Sequence, residues 1–456
     1  MKTRLYYLLY TCIILGACSE PQSAPVGTID GYPSGDSKLA NETAETMSKS
    51  TSIPTILPAT ISPTNPPSPF LEPTAPQDLP LGGSPVIITS ISMIDEKFGW
   101  AVGVKERLGN DLILQTLDGG NTWRDVSPPE TNLYDMVKHK KAKPFFQSKH
   151  NAWVTFYDIT FSTPDVSVVW RTLDGGQSWQ ASRPLEVGNP HEDETNAYFL
   201  PMALQFLDMH TGWIVVNEDQ AAGQGDVELL STSDGGQTWN QIYSSSTCLF
   251  RGMAFFNSQD GLLASDCVTI ADHSPILRRT FDGGKTWQDQ LALPFPPPEK
   301  YPDICAGLCS IRFPQLLSDK TAALVVYKHP SSQSSKPISF LYLSIDQGQT
   351  WSSTQLPTEN PPEFYSLEVL DSQVIWLLDN ISGELYLTED GGNSWSVIYH
   401  PIWYGWIKFI DRNLGWAVAS RVSRVYNPIL EREKYFLLKS TDGGKSWNQI
   451  SPRISP

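Results

Sequence analysis

One eight-residue pattern, S/T-x-D-x-G-x-S/T-W, occurs seven times and constrains this chain more than any other sequence feature. Self-similarity at a period of roughly 50 residues is typical of solenoids, propellers and other repeat arrays. A residue type that every copy needs is usually needed by the fold. We therefore expect the seven central aspartates to be structural: Asp118, Asp174, Asp234, Asp282, Asp346, Asp390 and Asp442.

Each repeat carries four short apolar runs that are separated by Gly, Asn and Asp. In the first repeat they include Ile87 to Ile94, Gly99 to Gly103 and Leu112 to Thr116, and the fourth run follows the tryptophan. Runs with a period of two that are bounded by turn residues indicate β-strands, and four strands per repeat make one propeller blade. The sequence predicts an all-β fold, a seven-bladed β-propeller of four-stranded antiparallel blades, preceded by a disordered linker.

The residues of the pattern have a plausible local role in a hairpin. Asp-Gly and Gly-Gly supply the positive φ angles that tight turns require, and the carboxylate accepts hydrogen bonds from nearby backbone N–H groups. The fifth copy has Gln347 where the others have the first glycine, but it keeps the second at Gly348. This exception predicts that the second glycine is the stricter requirement.

The pattern matches the Asp-box, or BNR repeat, of sialidases and several other propeller families. The first repeat combines the Asp-box with Gly99-Trp100-Ala101-Val102-Gly103. This combination resembles more specifically the photosystem II assembly and stability factors. That resemblance implies a non-enzymatic, exported or lumenal scaffold that holds assembling photosystem subunits. The sequence departs from the family in its Pro-rich spacer and in repeats four and five, which have Gly261-Leu262 and Ala322-Ala323 instead of Gly-Trp.

The N-terminus has the features of an export signal. Lys2 and Arg4 precede an apolar run from Leu5 to Leu15, which is shorter than the roughly 20 residues of a transmembrane helix. The run ends in Leu15-Gly16-Ala17-Cys18, which resembles the lipobox of bacterial lipoproteins. We expect a signal peptide over 1–17, lipidation of Cys18, and a lipid-anchored protein on the extracytoplasmic side of the cell membrane. An ordinary cleaved signal with a chance cysteine is the alternative.

The segment that follows is rich in Pro, Ser and Thr. This composition buries too little apolar surface to fold, and proline stiffens a chain toward extended polyproline II. We assign 18–84 to the lipidated cysteine and a disordered spacer, and 85–452 to the propeller. Four cysteines remain, and local disulfide pairing is our first choice among the three connectivities: Cys248 with Cys267 and Cys305 with Cys309.

Composition limits the possible ligands. A net charge of −16 disfavours nucleic acid, which requires clustered Lys and Arg. The histidines have no metal-ligand spacing, and the Asp-box neighbours lack the alternating carboxylates of a calcium loop. We expect no metal and no cofactor.

The main alternative to a scaffold is a carbohydrate-active enzyme or glycan-binding propeller of the sialidase or xyloglucanase type. In the Asp-box sialidases, three arginines hold the substrate carboxylate beside a Tyr-Glu pair, and a Phe-Arg-Ile-Pro signature lies near the start of the catalytic domain. The nearest string here, Ile311-Arg312-Phe313-Pro314, lies in mid-chain with a different order. We therefore predict no catalytic residue.

Two clusters outside the repeat pattern are candidates for binding. Trp403, Tyr404 and Trp406 lie at the entry to the seventh blade and can stack on a sugar or anchor a protein, with blade-to-blade packing as the alternative. Lys140 and Lys141 belong to a basic island, Lys138 to Lys143, that can contact an acidic partner or simply be solvated. The expected partner is a protein, with a membrane protein complex as one candidate class and a glycan as an alternative ligand.

Overall fold

The computed structural model describes residues 60–61, 83–105, 109–129, 140–158, 167–185, 199–217, 227–245, 248–267, 275–289, 309–317, 320–328, 336–421 and 435–455. Backbone contacts divide the chain into 1–53 and 54–456, and every described element belongs to the second unit. The signal peptide, Cys18 and most of the linker lie outside the described residues. Among the described residues, no helix is long and apolar enough to cross a membrane.

Seven sheets, each built on four consecutive antiparallel strands, form a seven-bladed β-propeller, as the sequence predicts. Blades 1 and 2 contain β3 Ile87–Met93, β4 Gly99–Val104, β5 Leu112–Thr116, β6 Thr122–Asp125, β7 Lys140–Phe146, β8 Ala152–Asp158, β9 Val169–Thr172 and β10 Gln180–Ala181. Blades 3 and 4 contain β11 Leu200–Phe206, β12 Gly212–Asn217, β13 Val227–Thr232, β14 Asn240–Ser245, β15 Cys248–Phe255, β16 Gly261–Cys267, β17 Pro275–Thr280 and β18 Gln288–Asp289.

The remaining blades follow the same order. Blades 5 to 7 contain β19 Cys309–Leu316, β20 Ala322–Lys328, β21 Ile338–Ser344, β22 Ser352–Gln355, β23 Tyr365–Val369, β24 Ile375–Asp379, β25 Glu384–Thr388, β26 Ser394–Tyr399, β27 Tyr404–Phe409, β28 Gly415–Ser420, β29 Tyr435–Ser440 and β30 Asn448–Ile450. Three short strands, β1 Thr60–Ile61, β2 Ser84–Pro85 and β31 Arg453–Ile454, lie outside the repeats, and one turn of 3-10 helix covers Pro362–Phe364.

Apolar packing is distributed between the blades rather than gathered in one core. Each of seven buried clusters combines residues from two neighbouring blades, so every blade interface has its own core. The first strands of adjacent blades contact one another, as β11 does with β7 and β15. The first strands therefore lie innermost, around the central axis.

The Gly-Trp pair of the second strand is explained by stacking between blades. Trp153 of blade 2 stacks on Phe206 of blade 3 with ring centroids 3.9 Å apart. Phe206 lies opposite Gly212 in its own hairpin, and a Cβ at Gly212 would lie 2.5 Å from the Phe206 ring. Only glycine at position 212 leaves room for the Phe206 ring, which stacks on Trp153 of the preceding blade.

Blade 2 shows what happens when this glycine is absent. Ala152 occupies the equivalent position opposite Phe146, and Phe146 stacks on Trp100 with a centroid separation of 5.1 Å. The wider separation follows from the extra methyl group, because van der Waals contacts resist overlap.

The same tryptophans also form hydrogen bonds between blades. Trp153 Nε1 donates to the Gly235 carbonyl in the next blade's Asp-box at 2.9 Å. Trp213 donates to Gly283, Trp376 to Gly443 and Trp416 to Gly119. At the blade 5–6 interface, where Ala323 replaces tryptophan, Thr354 Oγ1 donates to Gly392 at 2.6 Å instead.

The ring closes between blades 7 and 1. Trp416, Val418 and Leu437 of blade 7 share a buried cluster with blade 1. Outside blade 1, β31 pairs with β6 in parallel and with β2 in antiparallel orientation. Strand pairing at this junction therefore includes Ser84 and Ile454.

The glycine exception in the fifth Asp-box has a physical basis. Gln347 has a φ of 60° and is the only described non-glycine residue with positive φ. Its N–H still donates to the Lys320 carbonyl at 2.8 Å. The following Gly348 faces Leu262 of the preceding blade, and its Cβ would lie 3.0 Å from that side chain. The second glycine is thus constrained by packing between blades.

Candidate functional site

The Asp-boxes and the turns between first and second strands occupy one end of the propeller, here called the Asp-box end. Gly119 N–H donates to the Lys97 carbonyl at 2.9 Å, and Gly235 N–H donates to His210 at 2.8 Å. The second strands end and the third strands begin at the opposite end, here called the loop end. Because hydrogen bonds tie the turns together, the Asp-box end is a rigid surface.

Each Asp-box carboxylate organises its own turn. In the second blade, Asp174 Oδ1 accepts from Thr172 Oγ1 at 2.8 Å and from Ser178 N–H at 2.9 Å, and Oδ2 accepts from Ser178 Oγ at 2.5 Å. The Ser178 hydroxyl, the Ser178 N–H and the Thr172 hydroxyl together lower the pKa of Asp174 to about 2 despite an opposing effect of burial. For Asp282, burial raises the pKa, but hydrogen bonds from Thr286 and Thr280 outweigh it and lower it to about 2.

The remaining Asp-box aspartates have the same contacts. Asp118, Asp234, Asp346, Asp390 and Asp442 each accept a bond from the hydroxyl two residues before and from the hydroxyl four residues after. These oxygens are occupied by the turn itself. Within the described residues, no three His, Cys, Asp or Glu side chains group as metal ligands.

The aromatic candidates at the entry to blade 7 separate into two environments. Trp403 is 1% exposed and packs edge-on against Trp447 with centroids 5.5 Å apart. Tyr404 is half-buried at the start of β27. Trp406 is 39% exposed and lies edge-on to Tyr435 at 5.9 Å. Trp403 therefore packs in the interior, and Trp406 is the member that an external molecule can reach.

A side-chain amide fixes the backbone next to Trp406. Asn380 Oδ1 accepts from Gly405 N–H at 2.8 Å, and its Nδ2 donates to the Gly405 carbonyl at 3.2 Å. A Cβ at Gly405 would lie 2.1 Å from the Val418 carbonyl oxygen. The turn of blade 6 and the first strand of blade 7 are therefore held together at the loop end.

Asp379 organises the turn that carries Asn380. Its carboxylate accepts from Thr358 Oγ1 at 2.5 Å and from Asn360 Nδ2 at 2.9 Å. It also accepts from the N–H groups of Ile381 at 2.8 Å and Ser382 at 3.0 Å. A buried carboxylate with this many donors is a structural group, since its lone pairs are already used.

Exposed apolar side chains flank this amide bridge. Ile381 follows Asn380 directly and is 48% exposed, and Ile402 is 36% exposed. Gly383 lies near the Pro401 carbonyl, which brings the turn alongside Ile402. We call Ile381, Ile402 and Trp406 the blade 6–7 patch. Large apolar groups on a rigid backbone are typical of protein contact surfaces.

An ion pair joins the inner strands of the same two blades. Lys408 Nζ lies 2.7 Å from Glu368 Oε1, and the Glu368 side chain is 6% exposed. Burial raises the pKa of Glu368, against the opposing attraction of Lys408. The direct partner of Glu368 is a cation rather than a second carboxylate.

The basic island lies on β7, the first strand of blade 2. Lys141 is buried, and its Nζ lies 3.2 Å from Asp111 Oδ1. Lys140 is half-buried, and its backbone N–H donates to Asn110 Oδ1 at 3.0 Å. Burial lowers the pKa of Lys143. These lysines are integrated into the blade, and Lys138 and His139 lie outside the described residues.

Among the cavities in the described part of the chain, one of about 680 Å³ between blades 2 and 3 has the Asp-box residue Asp234 as its one carboxylate. Of two others, the larger, of about 730 Å³, lies at the Asp-box end among the inner strands of blades 2 to 5. Asp208 is the one carboxylate of its lining, and its pKa is lowered chiefly by the Thr211 N–H. A glycosidase of the usual two-carboxylate type needs two such groups, one of them as a proton donor.

The smaller cavity, of about 400 Å³, lies between blades 1 and 2 and contains Asp95 and Asp174. Asp95 is bound by Lys149 at 2.5 Å. The pKa of Asp95 is lowered to about 2, first by that lysine and then by the Phe98 and Lys97 N–H groups. Neither carboxylate is protonated near neutral pH, so neither can act there as a general acid.

The cysteines are only partly described. Cys248 and Cys267 lie opposite each other on β15 and β16, and Cys309 is disulfide-bonded. Cys305 lies outside the described residues.

Sequence reasoning missed the residues that support the blade 6–7 patch. Asn380, Asp379, Glu368 and Lys408 were not singled out. A usable signal did exist for the ion pair, because Glu368 and Lys408 are single, opposite charges between apolar residues at matching positions of consecutive repeats. The amide bridge had no comparable signal, since the facing partner of Asn380 is backbone.

No family model matches this chain, and no curated protein sequence matches it. Among solved structures, YCF48 bound to D1 peptide is 18% identical, with 77% of this chain and 96% of that chain covered and a TM-score of 0.42. YCF48 from Cyanidioschyzon merolae is 15% identical, with 75% and 94% covered and a TM-score of 0.44. The α-L-arabinanase of Penicillium chrysogenum complexed with arabinobiose is 13% identical, with 70% and 97% covered and a TM-score of 0.41. Similarities at this level assign no function to this chain.

Proposed function

We propose that this protein is an exported, non-catalytic scaffold that binds a protein partner through the blade 6–7 patch. The observation that carries the proposal is the exposure of Trp406 beside a backbone fixed by the Asn380–Gly405 bridge. Tryptophan on a rigid support contributes a large contact area at a small entropy cost. Ile381 and Ile402 extend that apolar surface.

The charges of the described residues support binding over catalysis. Glu368 is paired with Lys408, Arg312 with Glu363, and Arg279 with Asp260. The three arginines of a sialidase site would have to converge on one cavity, whereas the two described arginines above each bind a carboxylate. None of the cavities described above offers a carboxylate with a raised pKa.

The proposal includes the anchor that the N-terminal sequence indicates. Lipidation at Cys18 would place the propeller on the extracytoplasmic side of a membrane, and a membrane protein complex would then be the nearest class of partner. The analogy with photosystem II assembly factors belongs to this proposal as one possible partner class. Metabolic labelling with a fatty acid, compared between the wild type and Cys18→Ser, tests the anchor separately.

Two assays on the full chain test the scaffold role against the enzyme. Pull-down from detergent-solubilised membranes is expected to recover a membrane protein with the wild type and to lose it with Trp406→Ala. A panel of fluorogenic glycosides is expected to show no turnover. If the wild type hydrolyses a glycoside and Glu368→Gln abolishes this turnover, the protein is a glycosidase rather than a scaffold.

A further inference from the structure

Two short segments from outside the repeats extend the outer edges of blades. The C-terminal strand β31 (Arg453–Ile454) pairs in parallel with β6, the fourth strand of blade 1. The linker strand β1 (Thr60–Ile61) pairs in parallel with β26, the fourth strand of blade 6. In the described residues, the other five blades end at their own fourth strand.

The two added strands have the same register. Ile61 pairs with Trp395, and Ile454 pairs with Trp123, which are the Asp-box tryptophans of the two blades. The residue before each isoleucine pairs with the Asp-box hydroxyl residue, Ser394 in blade 6 and Thr122 in blade 1. Two unrelated parts of the chain thus use one geometry.

Their sequences agree as well. The linker reads Thr60-Ile61-Ser62-Pro63, and the C-terminus reads Arg453-Ile454-Ser455-Pro456. Isoleucine favours an extended, pleated backbone. Proline lacks an N–H donor and ends strand pairing. A strand of this sequence is therefore expected to be short.

We propose that the fourth-strand edge beside an Asp-box tryptophan is a binding site for extended x-Ile-Ser-Pro segments. Its occupant on blade 6 is the linker strand Thr60–Ile61. An outer edge strand presents N–H and C=O groups that an added strand can pair with. On blade 1 the same site is filled by the C-terminus, where Ser455 N–H also donates to the Trp123 carbonyl at 2.8 Å.

Occupancy by the chain's own linker follows from covalent connection. The segment is joined to blade 1 through the residues between Ile61 and Ser84. A short connection of this kind holds a ligand at an effective concentration of roughly millimolar. Even a weak two-residue pairing is then favoured over a free peptide at micromolar concentration.

Docking changes the length of the free linker. A chain in polyproline II spans about 3.1 Å per residue, so the stretch from Cys18 to Thr60 reaches about 130 Å and the stretch from Cys18 to Ser84 about 200 Å. With the segment docked, the free linker that starts at Cys18 ends at blade 6 rather than at blade 1. This consequence rests on the proposed lipid anchor, whereas the docking itself does not.

Hydrogen exchange of the full-length protein tests the docking. Thr60→Pro with Ile61→Pro removes both backbone donors of β1. Exchange in Ser394–Tyr399 is expected to accelerate about tenfold, as when one or two ladder hydrogen bonds are lost. The fourth strand of blade 3, Asn240–Ser245, serves as the internal reference, and Thr51→Pro with Ser52→Pro as the matched linker control. Unchanged exchange in Ser394–Tyr399 overturns the proposal.

A peptide of the sequence 58–64 tests the specificity. Added to the Thr60→Pro/Ile61→Pro variant, it is expected to restore slow exchange in Ser394–Tyr399, and the same peptide with Ile61→Asp is not. In the wild type, the peptide is expected to leave exchange in Ser394–Tyr399 unchanged, because the protein's own segment already occupies the edge. Protection by both peptides alike, or by neither, contradicts the proposed recognition. Either failure leaves the partner-binding role of the blade 6–7 patch standing, because that role depends on Trp406.

Discussion

The indole Nε1 of Trp416 donates a hydrogen bond to the carbonyl oxygen of Gly119 at 3.0 Å, although 297 residues separate the two along the chain. This bond joins blade 7 to the Asp-box of blade 1. The same bond type joins blade 2 to 3, blade 3 to 4 and blade 6 to 7. One repeated contact therefore both builds the ring and closes it.

Removing this donor is expected to weaken the closure. Trp416→Phe keeps an aromatic ring but leaves the buried Gly119 carbonyl without its indole partner. The free energy of unfolding in urea should fall by about 1–3 kcal/mol. Trp406→Phe is the control, because an exposed substitution should change stability by less than about 0.5 kcal/mol. Equal effects of the two substitutions would contradict the role assigned to the bond.

The glycine before each second-strand tryptophan gives a second prediction. Gly212→Ala places a methyl group 2.5 Å from the Phe206 ring and should destabilise the protein by about 1–3 kcal/mol through overpacking. Ala152→Gly makes the reverse change in blade 2 and should alter stability by less than about 1 kcal/mol, since relief of crowding opposes the flexibility of glycine. Denaturant unfolding followed by tryptophan fluorescence measures both. A larger loss from Ala152→Gly would contradict the stacking account.

The Glu368–Lys408 pair predicts a pH dependence of stability. Lys408→Met leaves the buried Glu368 carboxylate unpaired. The free energy of unfolding at pH 8 should fall by about 3 kcal/mol, which is the lower end of the range for breaking a buried ion pair, because Lys408 is itself partly exposed. Because the folded-state pKa is above the unfolded value, stability is fully present below the unfolded-state pKa and is lost as the pH rises from there through the raised folded-state pKa. The variant should therefore recover stability between pH 8 and pH 5.

The double variant Glu368→Gln with Lys408→Met separates charge from packing. It removes both charges and should lose the added pH dependence. Unfolding curves at pH 5 and pH 8 for the wild type and both variants test this. A single variant whose stability is independent of pH would show that the carboxyl group is not buried in solution.

The Asp-box carboxylates predict acid sensitivity of the opposite sign. The pKa values of Asp174 and Asp282 are lowered to about 2. Their stabilising contribution is present above the unfolded-state pKa and is lost as the pH falls toward 2. Asp174→Asn should reduce stability at pH 7 and make the decline between pH 4 and pH 2 shallower. An equally steep decline in the variant would contradict this assignment.

The repeat determined the fold, because each Asp-box marks one hairpin and strands alternate with a period of two. The sequence also predicted that the second glycine is stricter, and the structure places Gly348 against Leu262 of the preceding blade. It did not separate Trp403 from Trp406, since one is buried and the other exposed although both lie at the entry to the same blade. Nor did it reveal the Asn380–Gly405 bridge, because pairing with a backbone leaves no complementary residue to find.

Photo-crosslinking at two exposed positions tests the central claim most directly. A benzophenone amino acid is placed at 406 in the blade 6–7 patch, and at Leu117, which is 72% exposed at the Asp-box end, as the control. Irradiation in intact membranes is expected to give a discrete protein adduct from position 406 and none of that mass from position 117. The same adduct from both positions, or from position 117 alone, would contradict a scaffold that binds its partner through the blade 6–7 patch.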